Sequence, residues 1–256
     1  GLRRVLWPFT ARSMISSTQY LLLFLSTFVL VGTLTPVMRQ VALKTNFLDQ
    51  PNAEHKSHTE AIPYLGGVAI ILGSLGCIYV ALISQVNMRE DLRIANYLFA
   101  PALILGIVGL IDDRKSLSPL LRFTAQSAAG IVISIILITN DEMGNPSGNL
   151  LLDGIITAVW FVGICNSINF FDNLDGGAAG AVAAASFALF LIANHNSQYM
   201  ISASSITIFA AMLGFLIWNK SPAKIYMGDA GALYLGAVIA GLTIQLNPEV
   251  ESKSIS

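Results

Sequence analysis

The sequence predicts an all-α fold, a polytopic bundle of about eight transmembrane helices. Three observations lead there. Of 256 residues, 54% are hydrophobic and only 11% charged, where a soluble domain carries roughly 25% charge. Apolar windows of spanning length recur along the whole chain. The polar residues between them are loaded onto alternate loops, and so onto one face of the membrane. A helical bundle satisfies every backbone group in lipid.

Eight windows read as spans: 19–38, 63–85, 94–111, 121–139, 150–168, 176–193, 199–218 and 230–246. Each reaches across a core of ~30 Å at 1.5 Å per residue. The first follows Arg3, Arg4 and Arg12 as a signal-peptide core would, but no small-x-small cleavage site follows it, so it reads as a helix. This divides the chain into an N-terminal surface segment (1–18), a transmembrane domain (19–246) and a tail (247–256). One set of loops holds Arg39, Lys44, Lys56, Arg114, Lys115, Arg122, Lys220 and Lys224; the other, with the tail, holds Arg89, Arg93 and Lys253. The first set is therefore expected to be cytoplasmic, in a multi-pass protein of the plasma (inner) membrane. Only the N-terminal arginines dissent. A net charge of -1 gives no basis for a nucleic-acid partner. Cys77 and Cys165 lie within apolar runs and read as packing residues.

Four loops on the basic side carry the chemistry. NFLDQPNAEHKSHTEAIPYLGG (46–67) brings Lys56, His55 and His58 beside Asp49 and Asn52. These cations suit a pyrophosphate, or anionic lipid. IDDRKSLSP (111–119) ends a helix on Asp112 and Asp113, with Arg122 close behind. A helix C-terminus is already negative, so two acids there are unfavourable until a cation joins them. Mg²⁺, which takes oxygen ligands and substrate phosphates, fits such a pair, with Mn²⁺ as the alternative. NSINFFDNLDGG (166–177) sets Asn166, Asn169, Asp172 and Asp175 at i, i+3 spacing, one face of a helix. Such a ladder can read a base edge, hold ribose hydroxyls or bind a metal; polar glue between helices would explain Asn166 as well. Acids at membrane depth are functional candidates by default. IYMGDAGALYLG (225–236) puts Asp229 between Gly228 and Gly231 at a helix start. Asp229 could cap the helix; the glycines would let backbone approach a ligand, and free amides would hold phosphate. Tyr226 suits stacking on a flat base or an interfacial position.

These stretches, D-x-P-N with K-x-H and P-x-x-G-G, D-D-x-x-x-L-S-P, N-x-x-N-x-x-D-x-x-D-G and M-G-D-x-G, span residues 49 to 236. In this order they resemble the polyprenyl-phosphate N-acetylhexosamine-1-phosphate transferases. The resemblance implies Mg²⁺-dependent transfer of a sugar-1-phosphate from a UDP-sugar to a polyprenyl phosphate, at the cytoplasmic face, in cell-wall or surface-polysaccharide assembly. It implies Asp112 and Asp113 as the catalytic acidic pair. Asp229, with Asp113, would hold the metal, Tyr226 would stack on uracil, and Asn169, Asp172 and Asp175 would line the nucleotide pocket. Lys56, His58, Asn52, Arg122 and Asn166 complete the expected substrate contacts. A homodimer is left open.

There are departures: Asn173 and Gly177 replace the family's usual Gly and Leu, and Ala232 its Ser. The family also has further helices and a late histidine loop, whereas the last histidine here is His195. The chain is therefore expected to be C-terminally incomplete, and by itself to transfer little. An inactive member is the first alternative. A transporter is a weaker one, since the acids gather at helix ends on one face. A CDP-alcohol phosphatidyltransferase signature overlaps DNLDGGAAG, but Gly180 stands where it needs Arg.

Overall fold

The computed structural model describes residues 15–49, 62–83, 88–140 and 147–246. Eight helices follow in order: α1 (Ser17–Lys44), α2 (Gly66–Ile83), α3 (Met88–Lys115), α4 (Pro119–Thr139), α5 (Leu150–Phe171), α6 (Gly177–His195), α7 (Tyr199–Asn219) and α8 (Gly228–Gln245). Two short strands, β1 (Leu48–Asp49) and β2 (Ile62–Pro63), pair antiparallel between α1 and α2. Seven of the helices, α1 to α7, are long and apolar enough to cross a membrane.

Each of the eight expected spans thus becomes a helix with shifted ends, but α8, expected to span at 230–246, is not among the seven apolar enough to cross, since Asp229 and Gln245 fall within its 18 residues. Ser16 starts α1 early, through a capping box with Gln19. The helix passes through Pro36 to Lys44, beyond the expected end at 38. Asp112 and Asp113 fall inside the last turn of α3 rather than in a loop, because the helix continues through Arg114 and Lys115. Basic residues suit that terminus. Ser118 caps α4 and Pro119 opens it, the arrangement that a preset φ and a missing N–H favour.

α8 sits at the centre. Every residue from Ala230 to Leu242 is buried, against α2, α3 and α5. Its partners meet it through glycines. A Cβ on Gly109 of α3 would stand 2.2 Å from the Asp229 carbonyl oxygen, and one on Gly67 of α2 2.2 Å from the Gly231 nitrogen. Small residues are what lets helices in lipid pack backbone to backbone. By contrast α1, α4 and α5 turn large side chains such as Leu22, Phe123 and Val159 outward, as lipid-facing helices do.

Close packing at the start of α8 is fixed by backbone bonds. The Tyr226 amide donates to the Pro63 carbonyl, Gly66 N to the Tyr226 carbonyl (3.0 Å) and Gly67 N to the Met227 carbonyl (2.9 Å). The ends of α3 and α5 and the beginnings of α2, α4 and α8 therefore meet at one end of the bundle.

Candidate functional site

The start of α8 has no side-chain cap of its own. Its first amides are orphan donors, and acids from other helices take them. The Asp229 N–H donates to Asp113 Oδ1 (2.9 Å) and the Ala230 N–H to Asp113 Oδ2 (3.1 Å). The Gly228 N–H faces the Asp172 carboxylate and favours its charged form. Asp113, uncomfortable at the negative end of α3, is thus set against the positive end of α8. Gly228 is required here: its φ is +67°, and a Cβ would come within 2.7 Å of Asp113 Oδ2. The Tyr64 hydroxyl donates to the Asp113 carbonyl (2.8 Å) and holds the α3 end from the other side.

Asp112 and Asp229 are wired differently. Asp112 is buried, at 5% exposure, and its Oδ1 accepts from the Leu117 N–H (2.6 Å). Asp229 Oδ1 accepts from Asn169 Nδ2 of α5. The remaining oxygens, Asp112 Oδ2 and Asp229 Oδ2, lie 3.0 and 3.2 Å from the same atom, Arg122 Nη1. Asp172 ends α5 as its C-cap. Burial first, then the nearby charges of Asp229 and Asp113, push its carboxyl well above the usual range, while the Gly228 amide pulls it back.

Asp112, Asp113, Arg122, Asn169, Asp172 and Asp229, from α3, α4, α5 and α8, therefore form one cluster. Other expected site residues take different places. The i, i+3 ladder breaks at Asp172, because α5 stops there and a turn follows to Gly176, whose φ of +71° opens α6. Asp175 accepts from the Ala223 N–H (3.0 Å), tying this turn to the segment before α8. Asn166 donates to the buried Gln126 of α4 (2.6 Å) and to the Val162 carbonyl, which is the interhelical glue reading. The α8 amides at 228–230 hold carboxylates, not an open phosphate cradle. The glycines beside Asp229 admit protein, not ligand, and Asp229 does not cap its own helix. Tyr226 contributes backbone bonds to Pro63 and Gly66. Asn52, Lys56 and His58, with His55, lie outside the described residues.

Sequence reasoning missed Asn219. It is 2% exposed, accepts from the Gly176 N–H (3.1 Å) and donates to the Ile225 carbonyl (3.0 Å). It thus joins the turn that follows Asp172 to the one before α8. An amide closing the apolar run FLIWN was the available signal. Gln126, midway in an apolar helix, was a second.

Residues 95–247 match the family model described as glycosyl transferase family 4. The chain belongs to this family. It is 30% identical over 226 residues to a probable undecaprenyl-phosphate N-acetylglucosaminyl 1-phosphate transferase of Bacillus subtilis, an alignment covering 86% of this chain and 61% of that protein. It is 28% identical to a phospho-N-acetylmuramoyl-pentapeptide-transferase of Staphylococcus carnosus (89% and 75% covered). To a decaprenyl-phosphate N-acetylglucosaminephosphotransferase of Mycobacterium tuberculosis it is 32% identical (80% and 55%). The chain thus spans 61% of the length of the Bacillus relative. As a family 4 member it has its acid cluster within the matched region, since Asp112, Asp113, Arg122, Asn169, Asp172 and Asp229 all lie between residues 95 and 247.

The donor set bears on a metal. Among the described residues, no three Asp, Glu, His or Cys side chains form a group able to hold one. A two-carboxylate site nonetheless suits Mg²⁺, which commonly takes one or two carboxylates and fills the rest with water and phosphate. The Oδ2 pair of Asp112 and Asp229 has that form, with a guanidinium nitrogen standing as the cation between them. Asp113 has both oxygens engaged by amides.

Proposed function

We propose that this chain forms the active-site part of a transferase that moves a sugar-1-phosphate of the N-acetylhexosamine class from a UDP-sugar to a polyprenyl phosphate, at the cytoplasmic face of the plasma membrane. The observation that carries the reading is the convergence of Asp112, Asp229, Asn169 and Arg122 at one end of the bundle. The activities named for the relatives supply the substrate class.

An oxygen of the lipid phosphate attacks the phosphorus bonded to the sugar. The bond from that phosphorus to the oxygen it shares with the uridine-bearing phosphate breaks, and UMP leaves with the electron pair. The product is a sugar diphosphate on the lipid, so the count of phosphoanhydride bonds is unchanged. Bringing two anions together is the obstacle, and catalysis is positioning plus charge stabilisation. Arg122 faces that excess charge, Asn169 holds Asp229 in orientation, and Asp113 and Asp172 fix the start of α8. Mg²⁺ held by Asp112 and Asp229 would neutralise phosphate charge.

The test uses detergent-solubilised protein expressed from the whole reading frame, UDP-N-acetylglucosamine labelled in the sugar, polyprenyl phosphate and Mg²⁺. Label is expected to enter the organic phase with release of UMP, and Asp229→Asn is expected to abolish it. Label that remains with the nucleotide in the wild type, with both substrates bound, would overturn the reading.

A further inference from the structure

We infer that Arg122 is the resident counter-ion of this site: its guanidinium occupies the position between Asp112 and Asp229 that a divalent cation would take, and would leave it to meet phosphate when the cation binds. The inference rests on the function proposed above and concerns the order of events inside it.

Four features lead to it. First, a single nitrogen, Arg122 Nη1, serves both acids, at 3.0 Å from Asp112 Oδ2 and 3.2 Å from Asp229 Oδ2. Arginine grips carboxylates best through two parallel bonds from its fork. Here it makes one contact to each, which is how a spherical cation would sit.

Second, the two acids do not depend on Arg122 for their orientation. Asp112 Oδ1 is held by the Leu117 amide and Asp229 Oδ1 by Asn169. The two Oδ2 atoms stay aimed at each other when the guanidinium departs.

Third, Asp112 Oδ2 is fully buried and receives no hydrogen bond of good geometry, only the charge contact. A buried carboxylate oxygen in that condition is costly and calls for a cation.

Fourth, Arg122 has somewhere to go. Its side chain is 31% exposed against 4% for Asp112, and it lies in the first turn of α4, just after the Ser118 cap. Replacing one positive charge by two leaves the acids better compensated and frees a planar donor suited to phosphate. Cation and phosphate binding are then coupled through one side chain, and each tightens the other.

The experiment measures Mn²⁺ binding by electron paramagnetic resonance, on the purified chain in detergent without substrate. Wild type is compared with Arg122→Gln, Arg122→Lys and Asp112→Asn. Removing the resident cation is expected to tighten Mn²⁺ about tenfold in Arg122→Gln, equivalent to about 1.4 kcal/mol, and less in Arg122→Lys. Asp112→Asn is expected to weaken it. With Mn²⁺ saturating, UMP is expected to bind wild type more tightly than it does without metal, and Arg122→Gln is expected to lose that gain.

Mn²⁺ affinity that is unchanged or weaker in Arg122→Gln overturns the inference, as does the absence of Mn²⁺ binding in every form. Should Arg122→Gln fail to melt cooperatively, Arg122→Lys decides, because the shorter lysine side chain holds its ammonium farther from the two oxygens and competes less with the metal: affinity no tighter than wild type overturns it. Protein expressed from the whole reading frame that shows the Arg122 effect and yet transfers no sugar keeps this inference and sinks the proposed activity.

Discussion

At the end of the bundle where α4 finishes and α5 begins, polar residues bond to their near neighbours in sequence. Asn149 caps its own helix by accepting from the Leu151 and Leu152 amides. Asp153 accepts from the Ser147 amide, six residues back, and Asn140 donates to the Ile136 carbonyl. Ser16 and Gln19 close a box at the start of α1. At the other end the same residue types bond across the fold. Asp113 accepts from the amide of Asp229, 116 residues later, at the start of α8, Arg122 reaches Asp229 over 107 residues and Asn169 reaches it over 60. Local caps finish helices one at a time. Long-range caps hold several helix ends in a fixed relation, and they leave chosen oxygens facing each other. An acid at a helix end therefore signals function when its bonds come from elsewhere in the chain.

The comparison can be broken most directly at the acids. Asp229→Asn is expected to cut transfer by at least about 10²-fold at unchanged protein level, since on the proposed function it removes a charge that would handle metal and phosphate. Asp153→Asn, at the local end, is expected to leave transfer at the wild-type rate. Radiolabel assays on matched membranes compare them, and equal losses would show that the two ends do not differ in chemistry.

Packing gives the next effect. Gly109→Ala would put a methyl 2.2 Å from the Asp229 carbonyl oxygen. The shift between α3 and α8 is expected to cost about 3 kcal/mol, read as a lower melting temperature in detergent. Gly163 of α5 has no atom within 4 Å of its added Cβ, and Gly163→Ala is expected to be neutral or to stabilise by at most about 1 kcal/mol. A similar loss at both would mean that the α3–α8 contact is not special.

Nucleotide binding gives the third. Asp172→Ala removes an acid of the cluster and the carboxylate that faces the Gly228 amide. UMP with Mg²⁺ is expected to bind about tenfold more weakly, roughly 1.4 kcal/mol by calorimetry. The smallest effect belongs to the local end. Asn149→Ala should lower stability by about 1 kcal/mol and leave the UMP affinity alone; a change in that affinity would join the two ends energetically.

Much of this was legible in advance. Window length and apolarity marked all eight helices, seven of which are long and apolar enough to cross a membrane. The unequal placement of Asp, Asn and Lys/Arg marked one face. Asp112, Asp113, Asn169, Asp172 and Asp229 were singled out as residue types too costly near a bilayer without a task, and the structure gathers all five. The i, i+3 spacing misled beyond Asp172, because periodicity assumes a helix that Asn173, Asp175 and Gly176 end. Asn219 and Gln126 passed unnoticed since a lone amide in an apolar run has no spacing to betray it.

The sequence by itself determined the number of helices, the end of the bundle that gathers the acids, and the family. Each of these depends on composition or local order, which a chain carries before it folds. Only the tertiary structure decided how the acids divide their work. Asp112 and Asp113 are adjacent and chemically identical, yet one meets the amides of α8 and the other meets Arg122. Successive side chains on a helix point about 100° apart, so neighbours in sequence face different partners. Which partners those are depends on how closely Gly67 and Gly109 let α8 approach α2 and α3.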